Sequence, residues 1–244
     1  MKIIGIIPAR YASTRLSGKP LLKLGGKTII ELVYLNSLKS KYLDSIYVAT
    51  DDERIFNAVE KFGGNAIMTS IRHKSGTERI IEASKNINCE IIVNIQGDEP
   101  FINPKTIDKI INCLIQEKKI NIATAATRII SDKDINDPNT VKVVFDKNNN
   151  ALYFSRAQIP YYRNSSSKKI YYKHIGLYGY RKSFLLNYNK LEESNLERME
   201  SLEQLKFLEN GEKIKVIITK SDSLSIDTIE DYKKAKSIIK GLKK

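Results

Sequence analysis

Residues Ile7–Leu21 read IPARYASTRLSGKPL. The stretch continues the apolar run Ile3–Ile7 and carries three cations, Arg10, Arg15 and Lys19, among small residues. Pro8 and Pro20 bracket most of it. A short apolar run bounded by turn residues is the pattern of a buried strand. In open parallel sheets, ligands bind beyond the carboxyl ends of the strands. Three cations there, with backbone N–H groups exposed around Gly18, suit a polyphosphate. The loop is neither GxGxxG nor GxxxxGK(S/T), and a solvated basic loop is the plainer alternative.

The pattern continues outward as strand–helix alternation. A helix is expected near Thr28–Leu38, a strand at Ile46–Thr50, and a helix at Asp52–Phe62 that stops at Gly63-Gly64. Ala66–Thr69 reads as a strand, Thr77–Ile87 as a helix, Ile91–Ile95 as a strand and Pro104–Gln116 as a helix with proline in its first turn. Such spacing argues for a parallel sheet with helices on both faces. Beyond residue 120 the rhythm changes. Strands are expected at Ile122–Arg128, Val141–Phe145 and Ala151–Phe154, the last two forming a hairpin over Lys147–Asn150. Asn164–Lys169 is a polar loop, Lys173–Tyr180 a strand, Phe184–Leu191 and Leu196–Leu208 helices, and Ile214–Thr219 a strand. A final amphipathic helix starts near Thr228, with Tyr232, Ala235, Ile238 and Ile239 inward. The expectation is a single α/β domain over 1–244. It has a nucleotide-binding half (1–120), a smaller α+β substrate and dimer region (121–220) and a C-terminal segment (221–244).

Composition narrows the function classes. Of 244 residues, 41% are hydrophobic and 28% charged, enough for a sizeable core and against global disorder. No apolar run is long enough to span a bilayer, and Pro8 and Arg10 cut the N-terminal stretch too early for a signal-peptide core. The expected location is the cytoplasm, with no membrane insertion. Two cysteines outside any CxxC, and only His73 and His174, argue against a zinc cluster or a disulfide framework. The formal net charge of +13 is interleaved with acids, which reads as solvated helix faces. The excess still helps draw an anionic ligand into a cleft.

Further stretches carry candidate chemistry. In RHKSGTER (Arg72–Arg79), Ser75 and Glu78 fit a capping box, which leaves Arg72, Gly76 and Arg79 unexplained. A helix N-terminus with glycine beside the cap also binds anions, and both readings stay open. His73 reads as a packing or hydrogen-bonding residue. In VNIQGDEP (Val93–Pro100), a strand runs into Gln96-Gly97-Asp98-Glu99. Acids at a strand tip facing a polyphosphate loop suit Mg²⁺, which prefers one or two carboxylates plus phosphate oxygens. A Gly-Asp turn is the alternative. In LSIDTIED (Leu224–Asp231), Thr228 and Asp231 read as a helix start, and Asp227 is available as a second carboxylate. SRAQIP (Ser155–Pro160), HIGLYGYR (His174–Arg181) and ESLEQL (Glu200–Leu205) offer Arg156, His174, Tyr178, Glu203 and Gln204. Their residue types suit a carboxylated, hydroxylated substrate, and equally suit ordinary surface positions.

Taken together, IPARYASTRLSGKPL, IYVATDDE, HKSGTER, VNIQGDEP, PNTVKVV, ALYFSRAQIP, HIGLYGYR, LEQL and IDTIED run in register along almost the whole chain. In this order they resemble the 3-deoxy-D-manno-octulosonate (Kdo) cytidylyltransferases, the CMP-Kdo synthetases. The resemblance implies a nucleotide-diphospho-sugar-transferase-like, Rossmann-like, mostly parallel sheet flanked by helices. It implies transfer of CMP from CTP to the anomeric hydroxyl of Kdo with release of pyrophosphate, for lipopolysaccharide inner-core synthesis. It also implies Mg²⁺ dependence, a homodimer and a cytoplasmic location. Carried onto this chain, Arg10, Arg15 and Lys19 grip the CTP phosphates. Pro8, Ala9, Arg72, Ser75, Gly76, Thr77 and Gln96 line the nucleotide. Asp98 and Asp227 hold Mg²⁺. Gln96, Arg156, His174, Tyr178, Glu203 and Gln204 bind Kdo. Catalysis then rests on alignment and charge stabilisation of an in-line displacement at the α-phosphorus.

Two positions depart from the family pattern. Ser17 stands where proline is usual, and Ile229 where proline often opens the last helix. Neither removes a charge, and a small effect on rigidity is expected. One rival is a cytidylyltransferase for a related acid, such as 8-amino-Kdo or a nonulosonate. Another is a basic nucleic-acid-binding protein, which scattered tyrosines, absent tryptophan and acids at the proposed site disfavour.

Overall fold

Ile3, Ile4, Ile6 and Ile7 are all at most 4% exposed. Successive strand residues point to opposite faces, so this stretch is covered on both sides, as a parallel strand requires. It forms β1 (Ile3–Ala9) in a computed structural model that describes residues 1–12, 16–73, 75–164 and 169–242. In chain order there follow β2 (Lys23–Leu24), β3 (Lys27–Thr28), α1 (Ile29–Ser37), β4 (Ser45–Thr50), α2 (Glu53–Lys61) and β5 (Asn65–Met68). Next come α3 (Gly76–Ser84), β6 (Ile91–Asn94), α4 (Pro104–Gln116), β7 (Ile122–Arg128), α5 (Asp132–Asn136), β8 (Lys142–Phe145) and β9 (Ala151–Ser155). The chain ends with β10 (Tyr172–Arg181), α6 (Lys182–Leu185), α7 (Asn195–Glu200), α8 (Gln204–Glu209), β11 (Ile214–Thr219) and α9 (Ile229–Leu242). The α/β class expected from the alternation is the class observed.

The chain divides into two compact units, one of residues 1–108 with 223–244 and one of residues 109–222. In the first, four parallel strands run in the order β6-β1-β4-β5. Thr28, Asp52 and Ser75 cap α1, α2 and α3 by accepting the backbone N–H of Glu31, Arg54 and Glu78. The second unit is mixed. β11 pairs parallel with β7, while β7–β10, β10–β8 and β8–β9 are antiparallel, giving the expected hairpin. Phe154, Tyr180 and Phe207 are buried in this unit.

Two expected helices are shorter than the pattern suggests. Leu196–Leu208 is broken into α7 and α8, because Ser201 takes a left-handed conformation (φ 51°). Arg156 contributes to the break by donating to the carbonyls of Glu200 (2.7 Å) and Ser201 (3.3 Å). The stretch Phe184–Leu191 holds only the end of α6 and a 3-10 turn at Tyr188–Lys190. The two-residue strands β2 and β3 and the five-residue α5 carry no periodic signal and go unmarked in the sequence. The expected loop Asn164–Lys169 falls largely on residues 165–168, outside the described residues.

Gly179 in β10 meets α4, where an added Cβ would lie 2.6 Å from Ile110 Cγ2 and 2.9 Å from a Leu114 methyl. Gly179→Ala is therefore expected to destabilise the protein by about 1–3 kcal/mol, the usual cost of overpacking. Urea unfolding checks this, and an unmoved midpoint would show that Ile110 and Leu114 yield freely.

Candidate active site

The opening loop leaves the tip of β1 and is drawn back on itself. Gly18 N–H donates to Tyr11 O at 3.0 Å, and Gly18 takes φ 65°, a conformation that favours glycine. An added Cβ there would also touch the Tyr11 ring at 3.0 Å. Lys19 follows at the start of a 3-10 turn with Pro20 at its beginning. Arg10 is exposed at the end of β1, and Arg15 lies outside the described residues.

β6 lies beside β1, with Asn94 opposite Ile6, and its chain continues into Gln96-Gly97-Asp98. A Cβ on Gly97 would stand 2.9 Å from Pro8 O, so only glycine allows the turn to approach β1 this closely. At Gly76, the start of α3, an added Cβ would lie 3.6 Å from Pro8 Cγ, an ordinary contact. The GD turn and the acid's functional placement thus coexist. Lys19 Nζ donates to Asp98 Oδ2 at 2.7 Å and to Asp227 Oδ1 at 3.2 Å. Asp227 arrives from the C-terminal segment, fixed where Ile226 N–H donates to Asp98 O at 3.0 Å. Thr228 and Asp231 form the cap of α9, with Thr228 N–H and Oγ1 donating to Asp231 at 3.0 and 2.8 Å. The cap accounts for Thr228 and Asp231, while Asp227 faces Lys19. The Thr228–Asp231 pair fixes the start of α9 with Ile229 in place of proline.

Burial opposes the charge on Lys19, but Asp98 and then Asp227 outweigh it and raise its pKa above the ordinary 10.5. Lys19 is therefore an ammonium at neutral pH, 14% exposed, between two carboxylates. The pair converges on one cation, which is the donor set that suits Mg²⁺ with phosphate oxygens completing its shell. Among the described residues no group of three or more His, Cys, Asp and Glu side chains could hold a metal.

The motif around α3 sorts differently from its sequence reading. Arg79 is buried, donating to Thr69 Oγ1 at 2.5 Å and pairing with Asp51 at 2.8 Å. It ties α3 to the ends of β4 and β5 and is held by the fold. His73 hydrogen-bonds Glu82, which also accepts Ser70 N–H at 2.9 Å, as expected of a hydrogen-bonding residue. Arg72 is exposed, Ser75 caps α3, and Thr77 is buried in its first turn.

The second unit gathers Arg156, His174, Tyr178, Glu203 and Gln204. The Arg156 guanidinium donates to the carbonyls of Glu200, Pro138 and Ser201 at 2.7, 3.0 and 3.3 Å. A substrate carboxylate would displace the longest of these most readily. Lys142, buried at the first position of β8 within PNTVKVV, was given no role at the sequence level. Its Nζ donates to the carbonyls of Asp137, Thr140 and Arg156 at 3.0, 2.7 and 2.8 Å. A lysine inside the apolar run VKVV is the signal that sequence offered, since such a charge needs partners when buried. His174 stacks edge-on against Phe154 and lies 5.3 Å from the Tyr178 ring centroid. Burial lowers its pKa to about 3, so it is neutral at pH 7. Thr124 Oγ1 donates to the carbonyls of Ile175 or Leu177, which leaves the His174 Nε2–H to donate to Thr124 at 3.0 Å. Tyr178 is stacked on Tyr180, and burial with the nearby Glu203 charge raises its pKa well above 10. Gln204 is buried, and its Nε2 has no hydrogen-bond partner among the described residues.

Between pH 6.5 and about 3 the unfolded chain protonates His174 while the folded chain does not. Stability from this group is thus present above its ordinary pKa and falls with pH through that window. His174→Gln is expected to narrow the difference in thermal midpoint between pH 7 and pH 4. Equal acid sensitivity in both proteins would show that the ring titrates normally.

The family model described as cytidylyltransferase matches residues 4–214. A 3-deoxy-manno-octulosonate cytidylyltransferase of Syntrophus aciditrophicus is 49% identical, with 98% of each chain covered. One of Parabacteroides distasonis is 51% identical, covering 96% of this chain and 97% of the relative. A solved CMP:2-keto-3-deoxy-manno-octonic acid synthetase complexed with CTP has a TM-score of 0.94 at 40% identity, with 99% of each chain covered. With β1, the Lys19–Asp98–Asp227 cluster and these relatives in agreement, the chain belongs to the cytidylyltransferase family.

Proposed function

We propose that this chain transfers CMP from CTP to the anomeric hydroxyl of Kdo, giving CMP-Kdo and pyrophosphate for lipopolysaccharide inner-core synthesis in the cytoplasm. The observation that carries the reading is Lys19, an ammonium at the strand tips held by two acids from distant parts of the chain. The names of the relatives supply the nucleotide and the acceptor. No helix among the described residues is long and apolar enough to cross a membrane.

In this reading Lys19, Arg10 and Arg15 bind the CTP phosphates and stabilise charge that builds on the leaving pyrophosphate. Pro8 and Ala9 set the loop's exit. Ser75, Gly76 and Thr77 at the start of α3, with Arg72 and Gln96, line the cytidine. Asp98 and Asp227 would hold Mg²⁺, which when bound neutralises phosphate charge and acidifies the attacking hydroxyl. The neutral His174 and the protonated Tyr178 offer hydrogen bonds without charge to the acceptor. Gln204 Nε2 offers a donor, Glu203 an acceptor for hydroxyls, and Arg156 a partner for the carboxylate. Gln96 would also bind the acceptor. A homodimer is part of the proposal. It is supported by Ile130, Leu152, Tyr161 and Met199, large apolar side chains strongly exposed on the second unit.

Pyrophosphate release tests the reading. CTP with Kdo and Mg²⁺ is expected to react, UTP, ATP and GTP are not, and EDTA is expected to stop the reaction. Release only with 8-amino-Kdo or sialic acid would keep the transfer and change the acceptor. Asp98→Asn is expected to lower kcat at least about 100-fold, the scale of losing one key electrostatic group, with its circular dichroism unchanged. Near-wild-type turnover in that variant would remove Asp98 from the metal role.

A further inference from the structure

We infer that Lys19 is a competitor for the metal position, a resident cation that a divalent ion must displace before Asp98 and Asp227 can bind it. The inference rests on the metal reading of those two acids. Its basis is the geometry of one atom. Nζ lies 2.7 Å from Asp98 Oδ2 and 3.2 Å from Asp227 Oδ1, and the lysine side chain is 14% exposed. A divalent ion bound by the same oxygens would sit within about 2–3 Å of them on every side. An ammonium cannot share that space, and two cations so close in a half-buried site repel strongly.

The resident lysine has two consequences. It neutralises part of a carboxylate pair that would otherwise repel an incoming polyanion. It also makes metal binding conditional. A triphosphate offers Lys19 oxygens in exchange for those it leaves, and the acids then become available to the metal. Lys19 is thus both a phosphate ligand and a switch on when the acids are open. The fold limits other routes, because an added Cβ on Gly97 would meet Pro8 O at 2.9 Å and Ile226 N–H donates to Asp98 O, which sets the backbone at both acids, while Lys19 reaches them only through its side chain.

Mn²⁺ binding followed by electron paramagnetic resonance, without nucleotide, tests this directly. Lys19→Met keeps length and removes the charge. It is expected to bind Mn²⁺ at least tenfold more tightly than the wild type, and Mn²⁺ should raise its unfolding midpoint more. Lys19→Gln, run in the same titration, covers the case in which Lys19→Met folds poorly. Lys23→Met is the control for net charge, since Lys23 is exposed on β2. Equal tightening in Lys23→Met overturns the inference, as does Mn²⁺ affinity unmoved by both Lys19 variants but lost in Asp98→Asn. Affinity that survives Asp98→Asn in the Lys19→Met background overturns the metal reading itself, and the inference with it.

Discussion

One ammonium joins three segments of the first unit. Lys19, Asp98 and Asp227 are separated by 79 residues and then by most of the chain, yet Lys19 Nζ reaches both acids. The C-terminal segment is part of the first unit although 114 intervening residues, 109–222, form the second. Its attachment includes three polar contacts, beside the buried side chains of Ile226 and Ala235. Ile226 N–H bonds Asp98 O, Tyr232 OH bonds Lys23 O at 2.7 Å, and Asp227 meets Lys19. The two backbone-directed bonds set position at little electrostatic cost. The ion pair adds less stability than its distances suggest, because taking a lysine and two acids partly out of water offsets much of their attraction. Its value is in specifying where Asp227 must be.

The second unit handles buried charge by another route. Lys142 and Arg156 are hydrogen-bonded chiefly by backbone carbonyls, six of them between the two side chains. Carbonyl dipoles accept these N–H groups while leaving the positive charge uncancelled. Burial lowers the Lys142 pKa, and the Asp137 and Glu200 charges only partly restore it. Glu200 completes the arrangement by accepting Ser155 Oγ at 2.6 Å and Arg156 N–H at 2.9 Å. The strand end that carries Arg156 is thereby fixed in direction by Glu200.

The α/β class was legible because the parallel strands leave a strong trace. β1 and Ile91–Val93 of β6 are apolar, since both faces are covered, and the helices α1 to α4 begin with a Thr, Asp, Ser or Pro that reads as a start. Helix ends in the second unit were less legible. The break at Ser201 depends on Arg156, 45 residues away, and no local pattern encodes a tertiary donor. At the site, residue types offered Lys19, Asp98 and Asp227 as candidates, and the resemblance paired the two acids, but neither showed that all three touch. Arg79 shows the converse. Its motif invited a ligand role, and its burial against Asp51 gives it a structural one. Sequence marks which groups are unusual, while only packing decides whether a charge is used by the fold or left for a ligand.

The charge distribution connects these points. A formal net charge of +13 favours approach of a polyanion from any direction. Two carboxylates at the strand tips would oppose its last few ångströms, where screening is weakest. With Lys19 between them, the local excess is one negative charge rather than two, and Arg10 stands exposed nearby on the same loop. Under the proposed metal role, the two acids are therefore kept at the site without making it hostile to phosphate. A glycine-rich loop that cradles phosphate with backbone N–H groups alone could not do this, because it carries no mobile charge to exchange. In the proposed exchange the loop that carries Lys19 supplies that charge on a side chain, and the turns at Gly97 and Ile226 place the two acids opposite it.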